Sequence, residues 1–302
     1  MAIATPQRPT TNTRQSRLHG VFTTLQQLVR RPAGLIGLII VVGLIILAVA
    51  PSVFAPYAPD AQTISDRLQG PSMDHLLGTD RIGRDTLSRL IFGVGIALVV
   101  ALPAVLSALV IGLLLGIVAA WRGGLIDSLL VIVMDVLQAF PAVILALALL
   151  ALLGPSLRNV IIVIAIAFIP NYARVSRALV FSAKANQWVE AERALGASTL
   201  RIVFTHILPN ILPPLFILMA MDIPSAIVIE AGLSFLGLGV QPPTPSWGAI
   251  LSDGFQNIIQ SPWAVVFASI ILMITTLGFT MLGETLRDIV DPRLSGLTRR
   301  RW

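Results

Sequence analysis

The stretch Trp188-Val-Glu-Ala-Glu-Arg-Ala-Leu-Gly-Ala-Ser198, closed by His206-Ile-Leu-Pro-Asn210, decides how the chain is read, because it is a compact polar interruption between long apolar runs. Two short helices fit it. One ends near Gly196, where glycine relieves backbone strain at a helix C-terminus, and one starts near Ser198, whose hydroxyl can cap free N–H groups. Pro209 then stops or restarts the chain. A polar element held between apolar segments is a surface that another protein can reach.

The residues around it belong to a membrane protein. Of 302 residues, 56% are hydrophobic and 12% charged, whereas soluble domains carry about 25% charged residues. Six apolar stretches, near 33–55, 91–120, 125–153, 159–182, 209–236 and 262–285, are long enough to cross a bilayer, which takes about 20 residues. The second and third are overlong, which predicts tilt, kinks at Pro103 and Pro141, or extension past the bilayer. Ala48-Val-Ala50 imitates a signal-peptidase site, but its apolar run exceeds the usual h-region of about 7–15 residues and Pro51 follows directly. The first span is therefore read as uncleaved. There is no cysteine, which removes disulfides, thiolate metal sites and a cysteine nucleophile.

Positive charge near spans is retained in the cytoplasm. Arg8, Arg14, Arg17, Arg30 and Arg31 precede span one, and Arg122 follows span two. Lys184, the only lysine, joins Arg193 and Arg201 after span four, with Arg174 and Arg177 near the same side; Arg287, Arg293, Arg299, Arg300 and Arg301 end the chain. The opposite loops hold Arg67, Arg81, Arg84, Arg89 and Arg158, fewer even though 55–90 is long. Both termini and the 186–210 loop are thus expected in the cytoplasm. The chain divides into a tail over 1–30, a first span with its outer segment over 31–90, a core of five spans over 91–290, and a basic tail over 291–302. Residues 1–20 are too poor in apolar groups to bury a core.

The polar stretch resembles the cytoplasmic EAA loop of binding-protein-dependent ABC importers, through Glu190-Ala191, Gly196 and Leu208-Pro209, with Glu192 where alanine is usual. Two further stretches resemble the dipeptide and oligopeptide permeases. One is His75-Leu-Leu-Gly-Thr-Asp-Arg-Ile-Gly-Arg-Asp-Thr-Leu-Ser-Arg89, before span two; the other is Glu230-Ala-Gly-Leu-Ser-Phe-Leu-Gly-Leu-Gly-Val-Gln-Pro-Pro-Thr-Pro-Ser-Trp-Gly-Ala-Ile250, at the outer end of span five. In this order and spacing the match is to the C-type permease subunit of the peptide/nickel importer family, over nearly the whole chain after residue 30.

The resemblance implies an all-α protein of six transmembrane helices, of the type I importer permease kind, with cytoplasmic coupling helices. It implies a bacterial or archaeal cell membrane, a second homologous permease subunit, two ABC ATPase subunits and a soluble or lipid-anchored substrate-binding protein. Glu190, Ala191, Glu192, Gly196, Ala197, His206 and Pro209 would then form the ATPase contact. ATP and Mg would be bound by the partner subunits, since a P-loop needs G-x-x-x-x-G-K-[ST] and Lys184 stands in no such context. No H-E-x-x-H or G-x-S-x-G motif is present, and His19, His75 and His206 are scattered, so neither a hydrolase nor a metal site is expected. The family's substrates, which are dipeptides, longer peptides, glutathione-like molecules and nickel complexes, remain open at this point, with peptides the best expectation.

Asp80, Arg84, Asp85 and Arg89 suit charge-assisted hydrogen bonds that order an outer loop, where they either staple the loop or contact a binding protein. A short amphipathic helix is expected from Asp85, and Trp247 suits a membrane interface. Asp135, Asp222 and Glu230 lie within spans, where ionisable groups need a partner or a wet path. Asp135 and Gln138, three residues apart, share a helix face and can line a path that accepts a cationic amino terminus, or fix helix packing. Gly112 and Gly116 form a G-x-x-x-G packing pair. A rival reading, a stand-alone secondary transporter or channel using Asp135, Asp222 and Glu230, leaves the polar loop unexplained and lacks an evident inverted repeat.

Overall fold

The computed structural model describes residues 23–290, so the expectations for 1–22 and 291–302, including His19 and the terminal arginines, lie outside the described residues. The elements in chain order are α1 (Pro32–Val49), α2 (Pro51–Phe54), α3 (Thr86–Arg122), α4 (Gly124–Gln138), α5 (Ala142–Leu153), α6 (Leu157–Lys184), α7 (Gln187–Ala194), α8 (Thr199–Ile202), a π-turn (Val203–Ile207), α9 (Leu208–Phe235), α10 (Trp247–Gln256) and α11 (Trp263–Val290). Among the described residues five helices are long and apolar enough to span a membrane, and α4 with α5, bent by 90°, makes a sixth if the pair is one span. Among the described residues there is no strand, only an isolated bridge between Thr79 and Asp85.

The bundle is organised around α3 and α6. Val100, Ala101, Ala104, Val105 and Ala108 are completely buried, a run of small residues that lets a second helix come close. The closest approach is at the G-x-x-x-G pair. A methyl group on Gly112 would lie 2.5 Å from Tyr172 Cβ, and one on Gly116 would lie 2.6 Å from both the Ala173 carbonyl and Ser176 Cβ. The pair is therefore a packing device, as its sequence context implies. At the rim, α1 packs on α11 through Gly37 and Gly278, while Ile39, Ile45 and Ile46 stay exposed for lipid or a neighbour.

Proline acts differently at different positions. Pro141 follows the bend and opens α5, where its missing N–H costs nothing because first-turn N–H groups have no helical acceptor. α3 runs unbroken through Pro103, and α9 through Pro213, Pro214 and Pro224. Of the two roles expected of Pro209, stopping or restarting the chain, it takes the second. It occupies the first turn of α9, and the wider π-turn over Val203–Ile207 joins α8 to α9 as one rod. The expected second short helix is thus the foot of the fifth span.

Asp85 does not begin a short amphipathic helix either; it caps the 37-residue α3, with its side chain accepting from Ser88 N. Trp247 faces the bundle interior rather than the outside. It is 1% exposed, and its Nε1 donates to the Leu90 carbonyl at 3.0 Å, pegging α10 to α3. Gly93 makes room for it, because a methyl there would meet the indole at 2.7 Å.

Candidate functional site

The polar loop folds as α7 followed by a reversal into α8. Gly196 ends α7 with φ +81°, a conformation that glycine adopts without strain. Ala197 N donates to the Glu192 carbonyl at 3.0 Å, and Ser198 Oγ accepts from Arg201 N at 3.4 Å, capping α8. Val189 is fully buried and anchors α7 to the bundle, leaving Glu190 and Ala191 exposed on its outer surface. Glu192 is turned aside: its Oε1 lies 3.3 Å from Nε2 of His206 in the π-turn. Pro209 is exposed just beyond. Glu190, Ala191, Glu192, Gly196 and Ala197 therefore form a knuckle between α6 and α9 that Glu192 ties to His206, with Pro209 three residues further along the chain.

At the opposite end of α3, Asp80 is the hub of a buried ion network. Its Oδ1 accepts from Ile82 N and Arg84 N, both at 3.0 Å, and its Oδ2 accepts from Arg84 Nε at 2.6 Å and Arg89 Nη1 at 2.5 Å. Burial opposes ionisation of Asp80, but the Arg84 backbone N–H and the Arg89 and Arg84 guanidiniums outweigh it and hold the carboxyl below its usual range. Asp253 of α10, which the sequence reading missed, completes the network with contacts to Arg81 at 2.7 Å and Arg84 at 3.3 Å. No local pattern could reveal it, since its partners are more than 160 residues away. Asp85 stands apart from the arginines. It caps α3 and meets His75 Nδ1 at 3.0 Å, so the four expected loop residues split into an arginine–aspartate hub and a histidine–aspartate clasp.

The four intramembrane candidates do not converge. Asp135 on α4 pairs with Arg174 of α6 at 2.7 Å, with side chains 57% and 56% exposed, and Gln138 is exposed one turn on. Below that pair, Asp127 binds Arg177 through two contacts of 2.5 and 2.6 Å, so two Arg–Asp bridges tie α4 to α6. A cavity of about 130 Å³ lies beside them, lined by Gly116, Met134, Asp135, Arg174 and Arg177 among others. Asp222 on α9 is half-buried and interacts electrostatically with Tyr172 of α6. Glu230 is fully buried; its Oε1 accepts from Ser234 Oγ at 2.7 Å, and its Oε2 has no partner within the described residues.

A family described as the binding-protein-dependent transport system inner membrane component matches residues 112–296, which take in the α7 knuckle, the bent span and α9. The chain belongs to this family. It is a multi-pass inner membrane protein and a permease subunit of a binding-protein-dependent, ATP-driven importer. Residues 23–71 match a second family, the N-terminal TM domain of oligopeptide transport permease C. Among curated proteins the permease is 40% identical over 269 residues to the dipeptide transport system permease protein DppC of Alkalihalophilus pseudofirmus, covering 89% of this chain and 88% of that one. It is 39% identical to the di/tripeptide transport system permease protein DppC of Pseudomonas aeruginosa, covering 85% and 87%. It is 38% identical to the glutathione transport system permease protein GsiD of Pectobacterium atrosepticum, covering 89% of each. A chain of the MetNI methionine ABC transporter in an inward-facing conformation shares the fold, with a TM-score of 0.55 at 19% identity over 68% of this chain and 98% of that one.

Proposed function

We propose that this permease imports dipeptides or short oligopeptides, forming half of the translocation pore with a second homologous permease subunit above two separate ATPase subunits. A soluble or lipid-anchored binding protein delivers the substrate. Both termini and the α7 knuckle face the cytoplasm, in line with the arginine bias. ATP and Mg are bound by the ATPases, whose closure pushes on α7. The observation that carries this reading is the knuckle: a short helix anchored by the buried Val189, with Glu190 and Ala191 facing outward between two spans. Such an element is shaped to be gripped, and a push on it shifts the pore only if ATP binding favours one pore state over the other.

The peptide assignment rests on the dipeptide, di/tripeptide and glutathione names of the relatives and on the Asp135–Arg174 pair. An exposed ion pair within a span is costly against lipid, so this face is turned to a wet path or to the partner permease. A carboxylate beside a guanidinium complements the two charged ends of a zwitterionic peptide. Two experiments test the reading. Gentle extraction from the native membrane with mass spectrometry should recover a second permease and P-loop ATPases; a reproducibly solitary chain that still moves solute in liposomes overturns it. Reversing the exposed charge with Glu190→Lys should separate ATP hydrolysis from uptake, and unchanged uptake removes Glu190 from that role.

A further inference from the structure

The α7 knuckle is held by more than its own chain ends. Trp121, on the last turn of α3, has Arg193 of α7 5.1 Å from its ring centroid and Lys184 of α6 5.5 Å from the same centroid. Lys184 Nζ also donates to the Ala120 and Trp121 carbonyls, each at 3.2 Å, so it closes the C-terminal end of α3 and steadies the indole. On another side of α7, Glu192 reaches His206 at 3.3 Å, and the Trp188 ring lies 5.9 Å from the imidazole. Arg193 and Glu192 are consecutive, so they point about 100° apart around the helix and brace it from two directions.

These contacts do little for folding. Arg193 is exposed, the Glu192 and His206 side chains are 28% and 34% exposed, and contacts of this kind are weak where water reaches them. What they supply is direction. Without them, α7 is held by its short links to α6 and α8 and by the buried Val189, which are apolar or backbone holds that aim its polar face at neither α3 nor the π-turn. With them, a displacement of α7 is handed to the foot of α3 through the indole and to the foot of α9 through the imidazole. His206 lies within the π-turn, the one irregular stretch of the α8–α9 rod, and a π-turn is where such a rod changes register most easily.

We infer that Arg193–Trp121 and Glu192–His206 are two transmission clips, which pass movement of α7 separately to α3 and α9. Their members are positioning residues for transport. The inference rests on reading α7 as the ATPase contact and goes beyond it, because it says which spans receive the motion and through which side chains. It also gives Glu192 a use at the position where alanine is usual: a methyl group could not reach His206.

The test uses the complete transporter in liposomes, with ATP hydrolysis and ATP-driven uptake of a labelled dipeptide measured in parallel. Arg193→Ala and His206→Ala should each lower uptake per ATP by about fivefold or more, the usual range of coupling between sites. Arg193→Lys, which keeps a cation over the indole, should recover most of the ratio, as should Trp121→Phe relative to Trp121→Leu. Because Arg193 is exposed, its alanine variant tests the idea even if changes at Trp121 impair assembly. The inference is overturned if the assembled alanine variants keep uptake per ATP within about twofold of the parent, including the case where both rates fall together. A parent complex with no ATP-driven uptake of the dipeptide overturns the proposed peptide substrate, and the uptake-per-ATP ratio expected of the clips falls with it.

Discussion

Asp80→Asn removes one charge from the buried network at the outer end of α3, and the structure sets the size of the effect. The amide oxygen can still accept from Ile82 N and Arg84 N, but its NH2 group then faces Arg84 Nε and Arg89 Nη1, two buried donors that lose their acceptor together. Arg84 retains only Asp253 at 3.3 Å, and Arg89 Nε is already without a partner within the described chain. Removing one member of a buried ion pair costs about 3–5 kcal/mol because a desolvated charge is left behind. Here two are left, so the upper half of that range is expected. At about 2–4 °C per kcal/mol for chains approaching this size, the melting temperature in detergent should fall by roughly 8–20 °C. Asp253→Asn, on the wetter side of the network, should cost only about 1 kcal/mol. The pH dependence follows from the depressed carboxyl: its stabilisation is complete above the unfolded value of about 3.9 and is lost as pH falls through the folded value, which is lower still. The deficit of the variant should therefore stay constant from about pH 8 to pH 5 and shrink only in stronger acid. A variant that melts within about 2 °C of the parent at pH 7 would refute the reasoning, since the arginines would then be satisfied without Asp80.

Gly116→Val places a side chain 2.6 Å from the Ala173 carbonyl and must part α3 from α6 by about 1 Å, costing about 1–3 kcal/mol; thermal melting with no loss would contradict the close approach. Trp247→Phe deletes the hydrogen bond to the Leu90 carbonyl from a fully buried site and should cost about 1–3 kcal/mol, read as a lower melting temperature, with an unchanged melt counting against the peg. Asp135→Ala and Arg174→Ala break a pair that is more than half exposed, so each should shift stability by no more than about 1 kcal/mol while lowering peptide uptake; normal uptake in both would remove the pair from the path.

Much of this architecture was legible in the residues themselves. Apolar runs longer than a bilayer is thick leave few alternatives to spanning helices, and Pro141 in an overlong run announced the bent span. Gly196 and Ser198 marked the reversal after α7 because their backbone and capping chemistry is local. What stayed hidden was non-local or depended on packing. Asp253 looks like any polar residue on a short helix until α10 folds onto the loop that holds Arg81 and Arg84. Arg174 reads as an orientation charge, yet it is spent on Asp135. Pro209 reads equally as a stop or a restart, and the π-turn before it, which joins the two helices into one rod, is not visible in the residue pattern. Trp247 carries an interfacial preference that lost to a fitted slot beside Gly93.

The two ends of α3 are fastened in unlike ways. At the Asp80 end the bonds are charged, short and shut away from solvent, and Trp247 drives a second fastening into the same turn of helix. At the Trp121 end the holds are longer and only half-buried, with Lys184 and the exposed Arg193 near the indole. Mobile ions screen exposed charges over about 8–10 Å at physiological strength and scarcely reach buried ones. The polar ties at the two ends therefore differ in their sensitivity to salt, while the packing of Gly112 and Gly116 on α6 holds the Trp121 half of α3 by apolar contact. Raising ionic strength should weaken the Trp121 ties and leave the Asp80 network unchanged.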